Sequence, residues 1–246
     1  KGSPSALCVS SAPSPMAHAA PRTLSCEGLS LTLGAADSAQ NQTYPSEINP
    51  ADSLALPIVR YVGDEIAAVA AVDAETAEEA VSLIQVDYEE LPAVLTIEAA
   101  MAEGAPQLHA EFPRNISAEV HQEFGNAADA LKASDLVKTT TFKNKRQDGA
   151  FLEPPGCIAV FDLDGRLTLH SSTQAPHYVQ RTVAMVLGLP VGKVRVVKPY
   201  VGGGFGIKAA ANTGELAACL LARKTGKPVK FIYSREQVFM LCRARH

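Results

Sequence analysis

The octet VGGGFGIK, Val201 to Lys208, places four glycines, Gly202, Gly203, Gly204 and Gly206, within five positions, with one large aromatic, Phe205, between them. Each glycine that folding must order costs roughly 0.5–1 kcal/mol relative to alanine, so the run carries a penalty of about 2–4 kcal/mol. A turn needs one such residue or two. Another group must therefore come close to this backbone. Upstream, KVRVVKP reads as a strand; downstream, Asn212 to Arg223 reads as a helix, so the loop joins a strand to a helix. In that layout backbone N–H groups converge and a helix dipole favours an anion. The two familiar nucleotide versions fail letter by letter. A phosphate-cradling loop needs Gly directly before the lysine and Ser or Thr after it, but Ile207 and Ala209 flank Lys208. A GxGxxG fingerprint begun at Gly202 needs Gly at position 207, which is again Ile207. Two readings remain: bare backbone against a bulky polar cofactor with Phe205 as its cover, or a tight connection with Phe205 in the core.

Working outward, SSTQAPHYVQR, Ser171 to Arg181, lies where a strand ends and a helix begins. Pro176 suits a first helical turn, and Ser or Thr before it can cap. Gln174 then either points its side-chain amide into a cleft, as donor or acceptor, or serves as a cap facing water. His177 reads as structural. Further upstream, CIAVFD and RLTLHSS flank LDG, a hairpin signal. The residues from Pro176 to Leu187 form a helix with Val179, Val183, Val186 and Leu187 as its apolar stripe, and PVKFIY is the strand after the second helix.

From Pro57, PIVRYVGDEIAAVAAV reads as two strands joined at Gly63-Asp64. TAEEAVSLI is a helix capped by Thr76, with Ala80, Leu83 and Ile84 on one face, and QVDYEELP is a strand. A short helix follows near Ile97 to Glu103, residues 104–135 read as a connection, and a strand is expected near Val137 to Lys145. Residues 1 to about 55 are rich in Ser, Pro, Ala, Asn and Gln and read as loop-rich or irregular.

Composition excludes several classes. The chain has 246 residues, 47% apolar and 20% charged, typical of a soluble globular protein of one or two domains. Its net charge is −4, without a basic cluster, so nucleic acid is not an expected partner. No apolar run approaches the roughly 20 residues of a membrane span. The five cysteines, Cys8, Cys26, Cys157, Cys219 and Cys242, form no CxxC pair, and the six histidines show no HExxH spacing. No metal held by the chain's own side chains is therefore expected. The thiols read as reduced and buried in a cytoplasmic protein.

Taken together, STQAPHYVQRTVAMVLGLPVGKVRVV, VGGGFGIK and GELAACLLARKTGKPVKFIYSREQVF resemble the molybdopterin-binding large subunit of the molybdenum hydroxylases, the xanthine dehydrogenase and aldehyde oxidase family, which includes carbon monoxide dehydrogenase and 4-hydroxybenzoyl-CoA reductase. VRYVGDEIAAVAAVDAETAEEAVSLIQVDYEELPAV resembles its α/β hammerhead domain, FLEPPGCIAVFDLDGRLTLHSSTQ the opening of its cofactor-binding region, and SPMAHA, Ser14 to Ala19, a stretch near the start of the hammerhead. The match runs in order from about Pro57 to the last residue.

The resemblance implies an α+β chain: an irregular segment over 1–56, a hammerhead core over 57–110, a linker over 111–135, and the first part of a mixed α/β molybdopterin-binding domain over 136–246. It implies a molybdenum–molybdopterin cofactor, plain or in its cytosine dinucleotide form, lying against Gly202, Gly203, Gly204, Phe205 and Gly206. Gln174 would be the catalytic-site residue that hydrogen-bonds an oxygen ligand of molybdenum. Iron–sulfur clusters and FAD would reside on partner subunits. The expected reaction is oxidative hydroxylation of an aldehyde or aromatic heterocycle with water as oxygen source, or a related aromatic-CoA reduction, toward which TGKPVKFIYSREQVF leans. The general base, a glutamate, belongs to the remaining C-terminal part of the large subunit. Ala209 stands where xanthine-oxidising members carry glutamate, and neither Glu153 nor Glu215 is assigned to catalysis. The alternative is a non-catalytic scaffold that keeps the fold without cofactor.

Overall fold

The computed structural model describes residues 5–8, 19–25, 32–33, 59–64 and 67–243. They group into two compact units, Lys1–Ala93 with Gln147–Arg245, and Val94–Arg146. The first unit is built on a seven-stranded sheet ordered β3-β4-β1-β9-β6-β7-β8. Its strands are β1 (Ser5–Cys8), β3 (Thr32–Leu33), β4 (Ala67–Ala71), β6 (Gly156–Phe161), β7 (Leu167–Ser171), β8 (Val194–Val197) and β9 (Val229–Ile232). A separate antiparallel pair joins β2 (Ala19–Ser25) to β5 (Gln85–Glu90).

The sheet draws strands from both sides of the linear division read from the sequence. β1 runs antiparallel to β4, with Leu7 opposite Ala70, and parallel to β9, with Leu7 opposite Phe231. Residues 1–56, read as irregular, thus supply three strands. Their partners lie far along the chain, which is why a Ser- and Pro-rich context concealed them. Pro57 and Ile58 lie outside the described residues; Val59 makes a single bridge and Tyr61–Gly63 a turn, so among the described residues β4 is the one of the two expected strands that forms.

β6 and β7 form the expected hairpin, with Ala159 opposite Leu169. Asp162 Oδ1 accepts the N–H groups of Asp164 (3.0 Å) and Arg166 (2.8 Å), and Gly165 closes the turn at φ 71°. Helix α1 (Ala74–Ser82) is capped by Asp73, whose Oδ1 accepts the Thr76 N–H at 2.8 Å, rather than by Thr76. Its buried face is Ala77, Ala80 and Val81, while Leu83 is exposed. β7 connects to its parallel neighbour β8 through helix α4 (Pro176–Val186), the crossover that parallel strands require. α4 buries Val179 and Val183 as its pattern implied, with Leu187 beside them, and Val186 only in part. Helix α5 (Thr213–Thr225) buries Leu216, Ala218, Cys219, Leu220, Leu221 and Ala222 in the same core as Cys157, Leu169, Val229 and Phe231 of the sheet. Apolar side chains on alternate strand positions thus meet one helix layer, burying roughly 1.5–3 kcal/mol each. Helix α6 (Arg235–Leu241) follows β9.

The second unit carries short helices α2 (Ile97–Met101), capped by Thr96, and α3 (Ala127–Lys132), capped by Asn126. Asn115 ties it together: its Nδ2 donates to the carbonyls of Ala100 (3.0 Å) and Pro106 (2.9 Å), and its Oδ1 accepts the Leu108 N–H (2.8 Å). The strand expected at Val137 to Lys145 is irregular backbone. Among the described residues its β-branched positions have no partner strand, and β propensity without cross-strand packing does not make a strand.

Candidate cofactor site

β8 ends and the chain runs through Pro199 and Tyr200 into the glycine loop, then a 3₁₀ turn at Ile207–Ala209 and on to α5. The loop does join a strand to a helix, but the helix N-terminus takes no part in a ligand site. Gly214 N–H donates to Tyr233 Oη at 2.8 Å, and the Glu215 carboxylate reaches back to the Asn212 N–H at 2.8 Å. The helix caps itself, so the loop's own backbone must supply any anion contact.

That backbone is held in conformations side chains rarely adopt. Gly203 and Gly206 have φ of 96° and 84°, and Phe205 has φ 48°. A non-glycine residue in this region costs on the order of 1 kcal/mol, and such strain concentrates at ligand sites. Phe205 is 64% exposed, so its ring is not part of the core. A Cβ on Gly204 would lie 2.6 Å from Gln174 Cδ, and one on Gly202 would lie 2.7 Å from Glu153 Cβ. Each glycine is bare because a named side chain occupies the space.

Gln174 meets this loop. Ala175 takes the N-cap position of α4 and Pro176 the first helical position, so Gln174 caps nothing. Its Oε1 accepts the Gly206 N–H at 2.9 Å, and its own N–H donates to the Lys208 carbonyl at 2.8 Å. With Oε1 engaged by the loop, the Nε2 amide stays open as a donor. Among the described residues the N–H groups of Gly203, Gly204 and Phe205 form no hydrogen bond. Three consecutive backbone donors and one side-chain amide are thereby left without a protein partner, the kind of donor that a polar group rich in oxygen acceptors would use. These donors are of the kind that the pterin group implied by the resemblance would need. His177, by contrast, is exposed on α4.

Behind the loop lies a network that sequence reading missed. The Lys208 side chain is wholly buried; its Nζ donates to Glu153 Oε2, the Glu153 carbonyl and Ser172 Oγ, each at 2.8 Å, and sits 4.7 Å from the centre of the Phe151 ring. Glu153 Oε2 also accepts from Ser172 Oγ at 2.9 Å and from the Gly202 N–H at 2.6 Å. Partial burial works to raise the pKa of Glu153, but the bonds from Lys208, Gly202 and Ser172 outweigh it and hold the carboxyl below its ordinary range. Lys208 sits among apolar neighbours in sequence, and nothing local signals partners 55 and 36 residues away. A groove of about 360 Å³ along Gly156, Ile158, His170, Lys230 and Ile232 shares Glu153 and Ser172 with this network but not the glycine loop.

Comparison with known proteins gives the family. Residues 108–246 match the family described as molybdopterin cofactor-binding domain, and residues 12–92 match the aldehyde oxidase and xanthine dehydrogenase a/b hammerhead domain. The chain belongs to the molybdenum hydroxylases, in their molybdopterin-binding large subunit. It is 38% identical over 188 residues to the nicotinate dehydrogenase large molybdopterin subunit of Eubacterium barkeri, covering 76% of this chain and 44% of that protein. The xanthine dehydrogenase molybdenum-binding subunit of Escherichia coli O157:H7 is also 38% identical over 188 residues, covering 76% of this chain and 25% of the relative. Quinoline 2-oxidoreductase from Pseudomonas putida 86 superposes with a TM-score of 0.79 at 33% identity, over 95% of this chain and 32% of that one. The chain thus spans less than half the length of the curated relatives it matches.

The α+β class, with a hammerhead domain preceding a molybdopterin-binding domain, agrees with the sequence reading. Among the described residues, no three His, Cys, Asp or Glu side chains converge as a metal cage, and no helix is long and apolar enough to cross a membrane. Cys157, Cys219 and Cys242 are buried and in no disulfide bond; Cys26 lies outside the described residues.

Proposed function

We propose that this chain forms part of the catalytic subunit of a molybdenum-dependent oxidoreductase that hydroxylates a C–H carbon of an aldehyde or aromatic heterocycle. Nicotinate, xanthine and quinoline in the names of its relatives support an N-heteroaromatic substrate. The molybdenum–pterin group supplies the two-electron redox chemistry when bound. The chain's own part is positioning and electrostatics. The Gly203, Gly204 and Phe205 N–H groups donate to the cofactor. Gln174, fixed at Oε1 by Gly206, turns its Nε2 toward an oxygen acceptor, and the Phe205 ring screens the site from water. Remaining large-subunit segments provide the general base, and iron–sulfur and FAD subunits take the electrons. The pterin is carried in its plain or cytosine dinucleotide form.

The observation that carries this reading is the unpartnered run of loop N–H groups beside the Gln174 amide. Molybdenum and pterin analysis of the full-length protein tests it. About one equivalent of each is expected, and Gln174→Ala should lower turnover at least tenfold while leaving the melting temperature nearly unchanged, because Gln174 is exposed. Full-length protein with neither molybdenum nor pterin would sink the enzyme reading and leave a scaffold.

A further inference from the structure

The Lys208 side chain is wholly buried, and its bonds reach two separate segments, Glu153 and Ser172–Gln174. Its ammonium binds Glu153 and Ser172, while its carbonyl accepts the Gln174 N–H at 2.8 Å and the Thr173 hydroxyl at 3.0 Å. Glu153 in turn holds the Gly202 N–H. One residue thereby fixes the first amide of the glycine loop and the backbone of the glutamine that meets its last glycine. Bulk stability does not account for the arrangement: the Glu153 carboxylate is 36% exposed, and an ion pair open to solvent on one side contributes little. A pair that contributes little net stability can still specify geometry. Here the geometry specified is the register between Gly202–Gly206 and Gln174.

We propose that Lys208, with Glu153 and Ser172, is a positioning clasp that sets the cofactor loop in register with Gln174. The clasp touches neither substrate nor cofactor. It holds one end of the loop by charge and the other by backbone, so that the stretch carrying the unbonded amides of Gly203, Gly204 and Phe205 keeps its place beside Gln174. A neutral side chain at position 208 would leave the Glu153 carboxylate short of its cation, and the Gly202 end of the loop would detach. The inference rests on the cofactor reading above and deepens the same site.

Four variants of the full-length protein test it: Lys208→Met, Glu153→Leu, the double Lys208→Met/Glu153→Leu, and the core control Val183→Ala on α4. Three quantities are read: molybdenum and pterin per polypeptide, hydrogen exchange of the Gly202 and Gly206 amides, the two in the loop that are bonded, and melting temperature. Lys208→Met should speed loop exchange at least tenfold and lower molybdenum at least fivefold, whereas Val183→Ala should lower the melting temperature without either effect. The double variant removes both charges, so its melting temperature should recover toward wild type while loop exchange stays fast and molybdenum stays low. Recovery of loop protection and molybdenum along with stability in the double variant would overturn the clasp and leave a purely structural ion pair. If the wild type itself holds no molybdenum, the cofactor reading fails. The exchange comparison then decides the clasp alone, with faster loop exchange supporting it and wild-type exchange overturning it.

Discussion

The Ser171 hydroxyl at the end of β7 donates to the Glu215 carboxylate in the first turn of α5, and both side chains are buried. The carboxylate's second oxygen accepts the Asn212 N–H at 2.8 Å. Burial outweighs both bonds and pushes the Glu215 pKa up to about 7. Among the described residues no cation pairs with it; the thiols of Cys157 and Cys219 feel its charge, both pushed up by burial first and by the Glu215 charge second.

The sign of the pH dependence follows. A carboxyl with a raised folded pKa keeps a proton that the unfolded chain releases, so its contribution is fully present below the ordinary value of 4.5 and is lost as pH rises toward about 7. The loss is on the order of 3 kcal/mol at the limit. Glu215→Gln keeps an acceptor for Asn212 and does not titrate. It should match wild type near pH 4 and exceed it in stability by about 1–3 kcal/mol at pH 8. Melting curves across that range check this, and parallel curves for the two proteins would refute it.

Gly214, the second residue of α5, offers a case where helix propensity and packing oppose each other. Alanine in a helix is favoured over glycine by about 1 kcal/mol. A Cβ here would run into the Phe231 ring and lie 2.9 Å from Tyr233 Oη. Phe231 is 1% exposed and packs edge-on against Tyr233 at 4.5 Å between ring centres, so it has nowhere to move. Overpacking of about 1–3 kcal/mol or more should win. Thermal unfolding of Gly214→Ala is expected to show a lowered midpoint; a raised one would mean that the ring relaxes easily.

The parts of this fold that were legible in sequence are those whose signals are local. The β6–β7 hairpin announced itself through Leu163-Asp164-Gly165, and α4 through Val179, Val183 and Leu187, because turn chemistry and a 3.6-residue period act within a few positions. β1 was not legible: four residues flanked by Ser and Pro become a strand only because Leu7 lies between Ala70 and Phe231. α6 went unread although Ser234 and Gln237 exchange the two bonds of a capping box, a signal present in SREQ. At the site, the glycine loop and Gln174 were visible as residues that lacked a local role. Lys208 was not, since a buried lysine is recognisable only through partners supplied by folding.

Gly202 and Gly204 should respond differently to the same added methyl group. At Gly202 the clash is with Glu153 Cβ, an atom tied to its backbone, so Gly202→Ala must displace the loop and should cost about 1–3 kcal/mol along with its bond to Glu153. At Gly204 the obstacle is the tip of Gln174, which can swing away. Gly204→Ala should therefore lose little more than the Gly206–Gln174 hydrogen bond, roughly 1 kcal/mol, while placing the Nε2 donor out of reach of the cofactor. Turnover and molybdenum content should fall as far as in Gln174→Ala, with the melting temperature close to wild type. Combining the two substitutions should add almost nothing to either alone, because both remove one and the same contact. Fully additive losses in the double variant would show that Gly204 serves the site by a route independent of Gln174.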